Sequence, residues 1–320
     1  MSAMSAEDLR MEPVGRSGRD KTIRFLIGGA GEDPDTRLRA AGLKEMLRPR
    51  RGRGVMLWRA RRGWRHVAAA MVLEHPGRFG AIMHTPATAA GVEIPALRAL
   101  VCRIAREALS GGLAFLQTLI SPALQEEIAL VRSAGFAVLA ELSYLSIDLA
   151  DPTGCDPCSS ADRFQWLRFG QFDEEALGRI IAKTYEGSLD CPGLSGIRDM
   201  PDVIAGHKGG QRFCPECWWI VCDGNQAVGC ILVNDAPSGA AAEVIYMGVS
   251  PAWRGQGLGR TMLQRTAAAA QRRGRSRMTL AVDRRNHWAR QLYTDMGFDE
   301  VHRRMACIFT PREAAKRAVR

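Results

Sequence analysis

Between residues 160 and 310 the apolar positions change period repeatedly, and each change predicts an element. Residues 162–169 suit a first strand. Asp173 is a good N-cap for a helix running to about Tyr185. Residues 186–213 hold many Gly and Pro and read as a short second helix with loops. Residues 217–222 and 226–233 form a hairpin pattern around Asp223-Gly224-Asn225. A β-branched run, 243–249, leads into a helix-forming stretch from Arg260, and a strand follows over 275–282. Asn286, Ala289, Leu292 and Tyr293 then recur at helical spacing, Gly297 ends that helix, and 299–309 is again β-rich. The predicted order is β-α-α-β-β-β-α-β-α-β.

The first half repeats this plan. Gly135-Phe136 lies 162 positions before Gly297-Phe298, and Gly112 stands at the same offset from Gly274. Both halves read strand (113–120; 275–282), helix, Gly-Phe and a final β-rich run (137–149; 299–309). Turn formers cluster in Asp151-Pro152-Thr153-Gly154-Cys155-Asp156-Pro157-Cys158. We therefore expect a disordered leader over 1–20, one domain over 21–150, a linker over 151–160, a second domain over 161–311 and a basic tail over 312–320. A chain of 320 residues, 46% hydrophobic, has room for two cores.

Charge changes this picture little. The net charge is +10, and eight arginines between Arg48 and Arg65 surround Trp58 and Trp64, so a basic aromatic hairpin for nucleic acid is one reading. Only five of the 44 basic residues are lysine, a bias better explained by coding composition on solvated faces, so no nucleic-acid partner is expected. No apolar run reaches the roughly 20 residues of a membrane span, and the polar first 20 residues are no secretory signal. Nine cysteines without an export signal point to the reducing cytoplasm. Cys155/Cys158 and Cys214/Cys217 have zinc-knuckle spacing, but 55 residues separate the pairs, and no metal is expected.

The candidate chemistry lies in Arg254-Gly255-Gln256-Gly257-Leu258-Gly259, between a strand and a helix. Unpartnered N–H groups and the helix dipole make such a junction an anion site, and glycine lets a phosphate approach the main chain. The loop is too short for the nucleotide P-loop, and its glycines at 255, 257 and 259 do not match the dinucleotide fingerprint. Arg254, Gly257 and Gly259 in the pattern Arg-x-x-Gly-x-Gly resemble the acyl-CoA loop of the GNAT N-acetyltransferase superfamily. Asn286, Ala289, Leu292, Tyr293, Gly297 and Phe298 resemble the last helix of that family.

The resemblance implies a mixed α/β (α+β) fold of two tandem GNAT-like domains, each a twisted mixed sheet flanked by helices and splayed around an acyl-CoA cleft. It implies acetyl-CoA as donor, held by Met247, Gly248, Val249, Arg254, Gly255, Gln256, Gly257, Leu258, Gly259 and Asn286. Glu243 stands where many members carry a catalytic base, and Tyr293 where many carry an acid for the leaving thiolate. Ordinary roles for the same residues are a solvent-facing strand-end carboxylate, a core tyrosine and a polar helix start. Tyr185, Asp190, Cys191 and Arg198 lie in the segment that lines the acceptor site in GNAT domains; the acceptor is a small-molecule or peptide amine. Applying the offset of 162 puts Val92, Glu93, Ile94, Pro95 and Leu97 where the loop should be, so the first half carries no cradle and is expected to be non-catalytic. A non-catalytic acyl-CoA sensor and, further off, a nucleic-acid-associated factor are the alternatives.

Overall fold

The computed structural model describes residues 9–31, 33–47, 54–149, 163–209, 212–236 and 239–318. They form two compact units, one drawn from the described residues up to Leu139 and from Met305 onward, the other from those between Ala140 and Arg304.

The first unit begins with β1 (Leu9–Pro13), α1 (Arg19–Gly28) and α2 (Pro34–Met46). Asp33 accepts from Thr36 N at 2.8 Å and Pro34 opens the first turn, so local sequence starts α2. Then follow β2 (Val55–Arg62), β3 (Arg65–His75), β4 (Phe79–His84), α3 (Ile94–Ser110), β5 (Phe115–Ile120) and α4 (Gln125–Ser133). Strands β1 to β4 pair antiparallel in sequence order, and β4 pairs parallel with β5. One face of α3, Leu97, Leu100, Val101 and Ile104, is wholly buried on this sheet.

After β6 (Ala137–Asp148) come β7 (Gln165–Arg168), α5 (Glu174–Tyr185), α6 (Met200–Gly209), β8 (Trp218–Asp223) and β9 (Gln226–Asp235). The chain continues through β10 (Ala241–Val249), α7 (Leu258–Arg272), β11 (Arg277–Asp283), α8 (His287–Asp295), β12 (Asp299–Phe309) and α9 (Pro311–Ala318). From β7 to β12 this is the predicted order, and β1 to β6 repeat it. The four glycines that revealed the repeat end the corresponding helices with left-handed backbones: φ is 104° at Gly112, 73° at Gly274, 107° at Gly135 and 84° at Gly297.

In the second unit the period-2 alternation of β8 sorts its side chains onto two faces. Trp219 and Val221 pack with Met262, Leu263 and Ala267 of α7. Trp218, Ile220 and Cys222 pack with Leu177, Ile180 and Ile181 of α5 and Ile204 of α6. Each fully buried Leu or Ile here contributes about 1.5–3 kcal/mol of transfer free energy.

Three expected segments take on further detail in the structure. The leader over 1–20 is structured from Leu9, because Leu9–Pro13 pairs antiparallel with Trp58–Arg62 and α1 begins at Arg19; residues 1–8 lie outside the described residues. The basic tail contains α9, with Glu313 in its first turn. The last strand of each predicted domain also belongs to the other unit. Residues 142–148 pair antiparallel with β11, and 305–309 pair antiparallel with β5. The units are therefore not the blocks 21–150 and 161–311. Side-chain alternation tells which residues face a core, but not which open sheet edge accepts the strand. The linker over 151–160 lies outside the described residues.

Two histidines, His66 and His207, are expected to make the fold acid-sensitive. Burial, helped by Lys21, Arg59 and Arg61, holds His66 down at about 4, and burial with Arg198 does the same for His207. His66 Nδ1 and His207 Nε2 have no hydrogen-bond partner. An unfolded chain takes these protons near the ordinary histidine value of 6.5, whereas the fold refuses them until about 4. This stabilisation is complete above the unfolded value and is lost as the pH falls towards the folded one. The melting temperature is expected to be level near neutrality and to fall through the mildly acid range. Thermal melts should show a shallower fall for His66→Phe with His207→Phe; equal melting temperatures for wild type at about pH 7 and pH 5 would contradict this.

Candidate active site

Strand β10 ends at Val249, a single 3-10 turn spans Pro251–Trp253, and α7 starts at Leu258. Gly255 (φ 75°) and Gly257 (φ 82°, the N-cap) both have left-handed backbones. A side chain costs roughly 1–2 kcal/mol in that conformation, which is why glycine stands there. Gly259 answers a different need: a Cβ there would lie 3.1 Å from Leu292 Cδ2 of α8. The first-turn N–H groups of α7, at Leu258 and Gly259, have no intrahelical acceptor and carry the positive end of the helix dipole.

Arg254 sits at this loop in a role the motif alone did not reveal. Its Nε donates to Val249 O at 3.1 Å and its Nη2 to Thr184 O at 2.9 Å. The guanidinium thus straps the end of β10 to the end of α5, and these bonds fix its charge beside the glycines. Gln256 Nε2 donates to Ala252 O at 2.8 Å, which braces the turn.

The neighbouring strands part company beside the loop. β10 and β11 pair in parallel from Ala241↔Arg277 to Val244↔Leu280. Beyond Val244 the pairing of β10 continues with β9, from Tyr246↔Leu232 to Val249↔Gly229, after a bulge at Ile245. The bulge also changes which residues face where. Ala242, Val244, Met247 and Val249 face the α7 side, whereas Ile245 and Tyr246 face the α5 side. Gly248 shares that side, since a Cβ on it would lie 2.4 Å from Thr184 Oγ1. Met247, Gly248 and Val249 therefore border the opening between β10 and β11.

Glu243 precedes the bulge on the α5 side of β10 and is partly buried. Tyr144 of β6, opposite Ala281 of β11, lies within its electrostatic reach. Burial, and then the charge of Glu243, push the Tyr144 phenol up, and its ring stacks on His302 with centroids 4.5 Å apart. Tyr144 went unnoticed in the sequence because its strand was assigned to the first domain. The only signal was its place at the end of a β-rich run.

The segment after α5 is clamped to the end of β11 by a reciprocal pair of bonds. Asp190 Oδ1 accepts from Asp283 N at 2.8 Å, and Asp283 Oδ2 accepts from Cys191 N at 3.1 Å. Desolvation and the Asp283 charge hold the Asp190 carboxyl above its usual range. Asp283 is fully buried; desolvation opposes its ionisation, but hydrogen bonds from Arg285 and Cys191 keep its carboxyl below the usual range. Cys191 has a left-handed backbone, φ 45°, unusual for a side chain with Cβ. Burial, with the charges of Asp190 and Asp283, pushes its thiol up to about 12, so it stays protonated.

Next to this clamp, Tyr246 and Thr184 share a hydroxyl hydrogen bond of 2.5 Å, and the Tyr185 and Tyr246 rings meet edge-on at 5.9 Å. Burial raises both phenols, Tyr185 to about 12. Arg198 lies within electrostatic reach of Tyr185, Asp202 and His207. Tyr185, Asp190, Cys191 and Arg198 thus gather on the α5–α6 side, the side of Glu243.

Tyr293 lies on the other side, in α8, 7% exposed, with its ring 5.8 Å from Phe298. Burial and the charge of Asp190 drive its phenol well above the ordinary range, so it keeps its proton. Asn286 is the N-cap of α8, its Oδ1 accepting from Ala289 N at 3.3 Å. That is the ordinary role of a polar helix start.

The corresponding junction of the first unit differs. Its α3 has Glu93 as N-cap in place of Gly257, and both carboxylate oxygens accept from Arg62 Nε, at 3.0 and 2.8 Å. Glu127 of α4, nearly buried, accepts from Ala87 N at 2.6 Å and faces His84 Nδ1 at 3.5 Å. The Glu93 carboxylate thus turns to Arg62 and makes no cap bond to α3. Of the basic hairpin, Arg59 and Arg61 pair with Glu12 at 2.8 Å each, Trp58 is buried and Trp64 is exposed. Arg48, Arg50, Arg51 and Arg53 lie outside the described residues, as do Cys155 and Cys158.

A parallel strand pair thus parts beside a β-bulge, next to a glycine-rich helix start. Residues 175–298 match the family model described as Acetyltransferase (GNAT) family. A curated mycothiol acetyltransferase of Beutenbergia cavernae is 28% identical over 182 residues, 54% of this chain and 59% of that protein. This chain thus matches less than two thirds of that relative's length. A GCN5-related N-acetyltransferase from Sphaerobacter thermophilus superposes with a TM-score of 0.61 at 16% identity, over 94% of this chain and 95% of that one. A tandem GNAT protein from the clavulanic acid biosynthesis pathway gives 0.54 at 14% identity, over 95% and 98%. The fold is a mixed α/β fold of two GNAT-like domains, as the repeat implied.

Proposed function

We propose that the protein transfers an acetyl group from acetyl-CoA to a primary amine by direct attack, with Glu243 as general base and Tyr293 as general acid. The observation that carries this reading is the opening of β10 from β11 beyond Val244, beside the α7 start. Residues 254–259 would hold the phosphates through main-chain N–H groups and the fixed charge of Arg254. The main chain of Met247, Gly248 and Val249 would pair with the pantetheine arm and lend an N–H to the thioester oxygen. Asn286, whose Oδ1 caps α8, would offer its amide nitrogen to the same arm.

The amine would enter from the side of Tyr185, Asp190, Cys191 and Arg198. Its nitrogen attacks the thioester carbon, its proton passes to Glu243 directly or through water, and the C–S bond breaks. The departing thiolate takes a proton from Tyr293. A Cys191 thiol pushed up to about 12 argues against a relay through an acetylated cysteine. No described helix is long and apolar enough to cross a membrane, and the free cysteines suit action in the cytoplasm. The first unit is assigned no turnover, in keeping with Glu93 at its helix start.

The test is thiol release from acetyl-CoA across a panel of amino sugars, amino acids and polyamines. Amine-dependent release, with an acetylated product of matching mass, is the expected result. Tight binding of CoA with no release for any amine would favour an acyl-CoA sensor instead.

A further inference from the structure

Outside the acetyl-transfer site, Cys214 and Cys217 bracket the 3-10 turn Pro215–Cys217 between α6 and β8. Both are nearly buried, at 3% and 2% exposure, while Glu216 between them faces solvent. Cys217 N donates to Cys214 O at 3.0 Å. A turn closed this way keeps its ends within about 7 Å, overlapping the roughly 4.4–6.8 Å between α-carbons that a disulfide spans. Cys214 N is anchored on Asn234 Oδ1 at 3.4 Å. Arg273, at the end of α7, donates from Nη1 to Cys217 Sγ at 2.9 Å and also contacts Glu216 and Asp235.

We propose that Cys214 and Cys217 are a redox-active dithiol, which hydrogen peroxide converts to an intramolecular disulfide with Cys217 as the attacking sulfur. Two observations beyond the spacing distinguish the sulfurs. The hydrogen bond from Cys214, and then the Arg273 charge, hold the Cys217 thiol below its ordinary range against the cost of burial. The same hydrogen bond, with burial, drives Cys214 up, so it is the proton-bearing partner. Cys222 and Cys230 are buried thiols held above their ordinary range by desolvation, and neither shares the Arg273 contact. Low thiolate pKa and a cationic neighbour select a reactive cysteine.

The chemistry balances with peroxide alone. The Cys217 thiolate attacks one peroxide oxygen, the O–O bond breaks, and the departing hydroxide takes a proton to become water. Cys217 is then a sulfenic acid. Cys214 Sγ attacks that sulfur, the S–O bond breaks as the S–S bond forms, and the Cys214 proton leaves with the second water. Two thiols lose two electrons, and peroxide becomes two waters.

The full-length reduced protein, treated with hydrogen peroxide and then denatured, is read by thiol titration and by mass. Two of the nine cysteines should lose reactivity, the mass should fall by about 2 Da for two hydrogens, and dithiothreitol should reverse both changes. Fragmentation between Cys217 and Cys222 should place the bond in the turn. In Cys214→Ser, Cys217 should accumulate as a sulfenic acid trapped by dimedone, and Arg273→Gln should slow wild-type oxidation about tenfold. A disulfide that includes Cys222 or Cys230, or seven of the nine thiols reacting no more slowly than this pair, overturns the proposal. So does an unchanged thiol count on the wild-type protein, a result that no folding defect of a variant can mimic.

Discussion

Glu243→Gln is expected to lower kcat/KM for acetyl transfer about 100-fold, the usual contribution of a positioned general base. The substitution keeps size and hydrogen-bonding capacity and removes the ability to take a proton. Glu243 sits on β10 just before the bulge, paired in register with Asn234 and Thr279, so the strand should hold its shape. The glycine loop over 254–259 lies beyond the end of β10, at its junction with α7. Affinity for acetyl-CoA should therefore change little, as equilibrium binding would show. The defect should also narrow as the pH approaches the pKa of the amine, where more acceptor is already neutral. Wild-type kcat/KM at neutral pH would assign Glu243 the plain role of a strand carboxylate.

Tyr293→Phe is expected to lower kcat at least tenfold with acetyl-CoA affinity nearly unchanged. Only the hydroxyl is lost, so the packing of the ring on Phe298 should survive. Burial and Asp190 keep the phenol protonated across the working range, so no ionisation of Tyr293 should appear in the pH–rate profile of wild type. The discriminating measurement uses acyl donors with more acidic leaving thiols, which need less help from an acid. The variant's defect should shrink with them. A uniform defect for every donor, together with a lowered melting temperature, would mean that Tyr293 serves the core instead.

How much of this was legible before any coordinates depended on whether the cause is local. The helix starts at Asp173 and Leu258 follow from a capping carboxylate and a left-handed glycine, and both could be read from neighbouring residues. The repeat was legible because four glycines must adopt positive φ at corresponding helix ends. Arg254 was found by its spacing, but not its bonds to Val249 and Thr184, since the second of these partners is 70 residues away. The clamp between Asp190 and Asp283 was invisible for the same reason, spanning 93 residues.

From sequence alone follow the order of elements, the doubling of that order and the single intact glycine loop, because propensity, capping and backbone sterics act within a few residues. Only the tertiary structure decided that 142–148 complete the second unit and 305–309 the first, because an edge strand takes whichever open edge presents unpaired backbone groups. That exchange brought Tyr144 within electrostatic reach of Glu243. The bulge at Ile245 then set which side chains face α5, as one extra residue reverses the alternation beyond it.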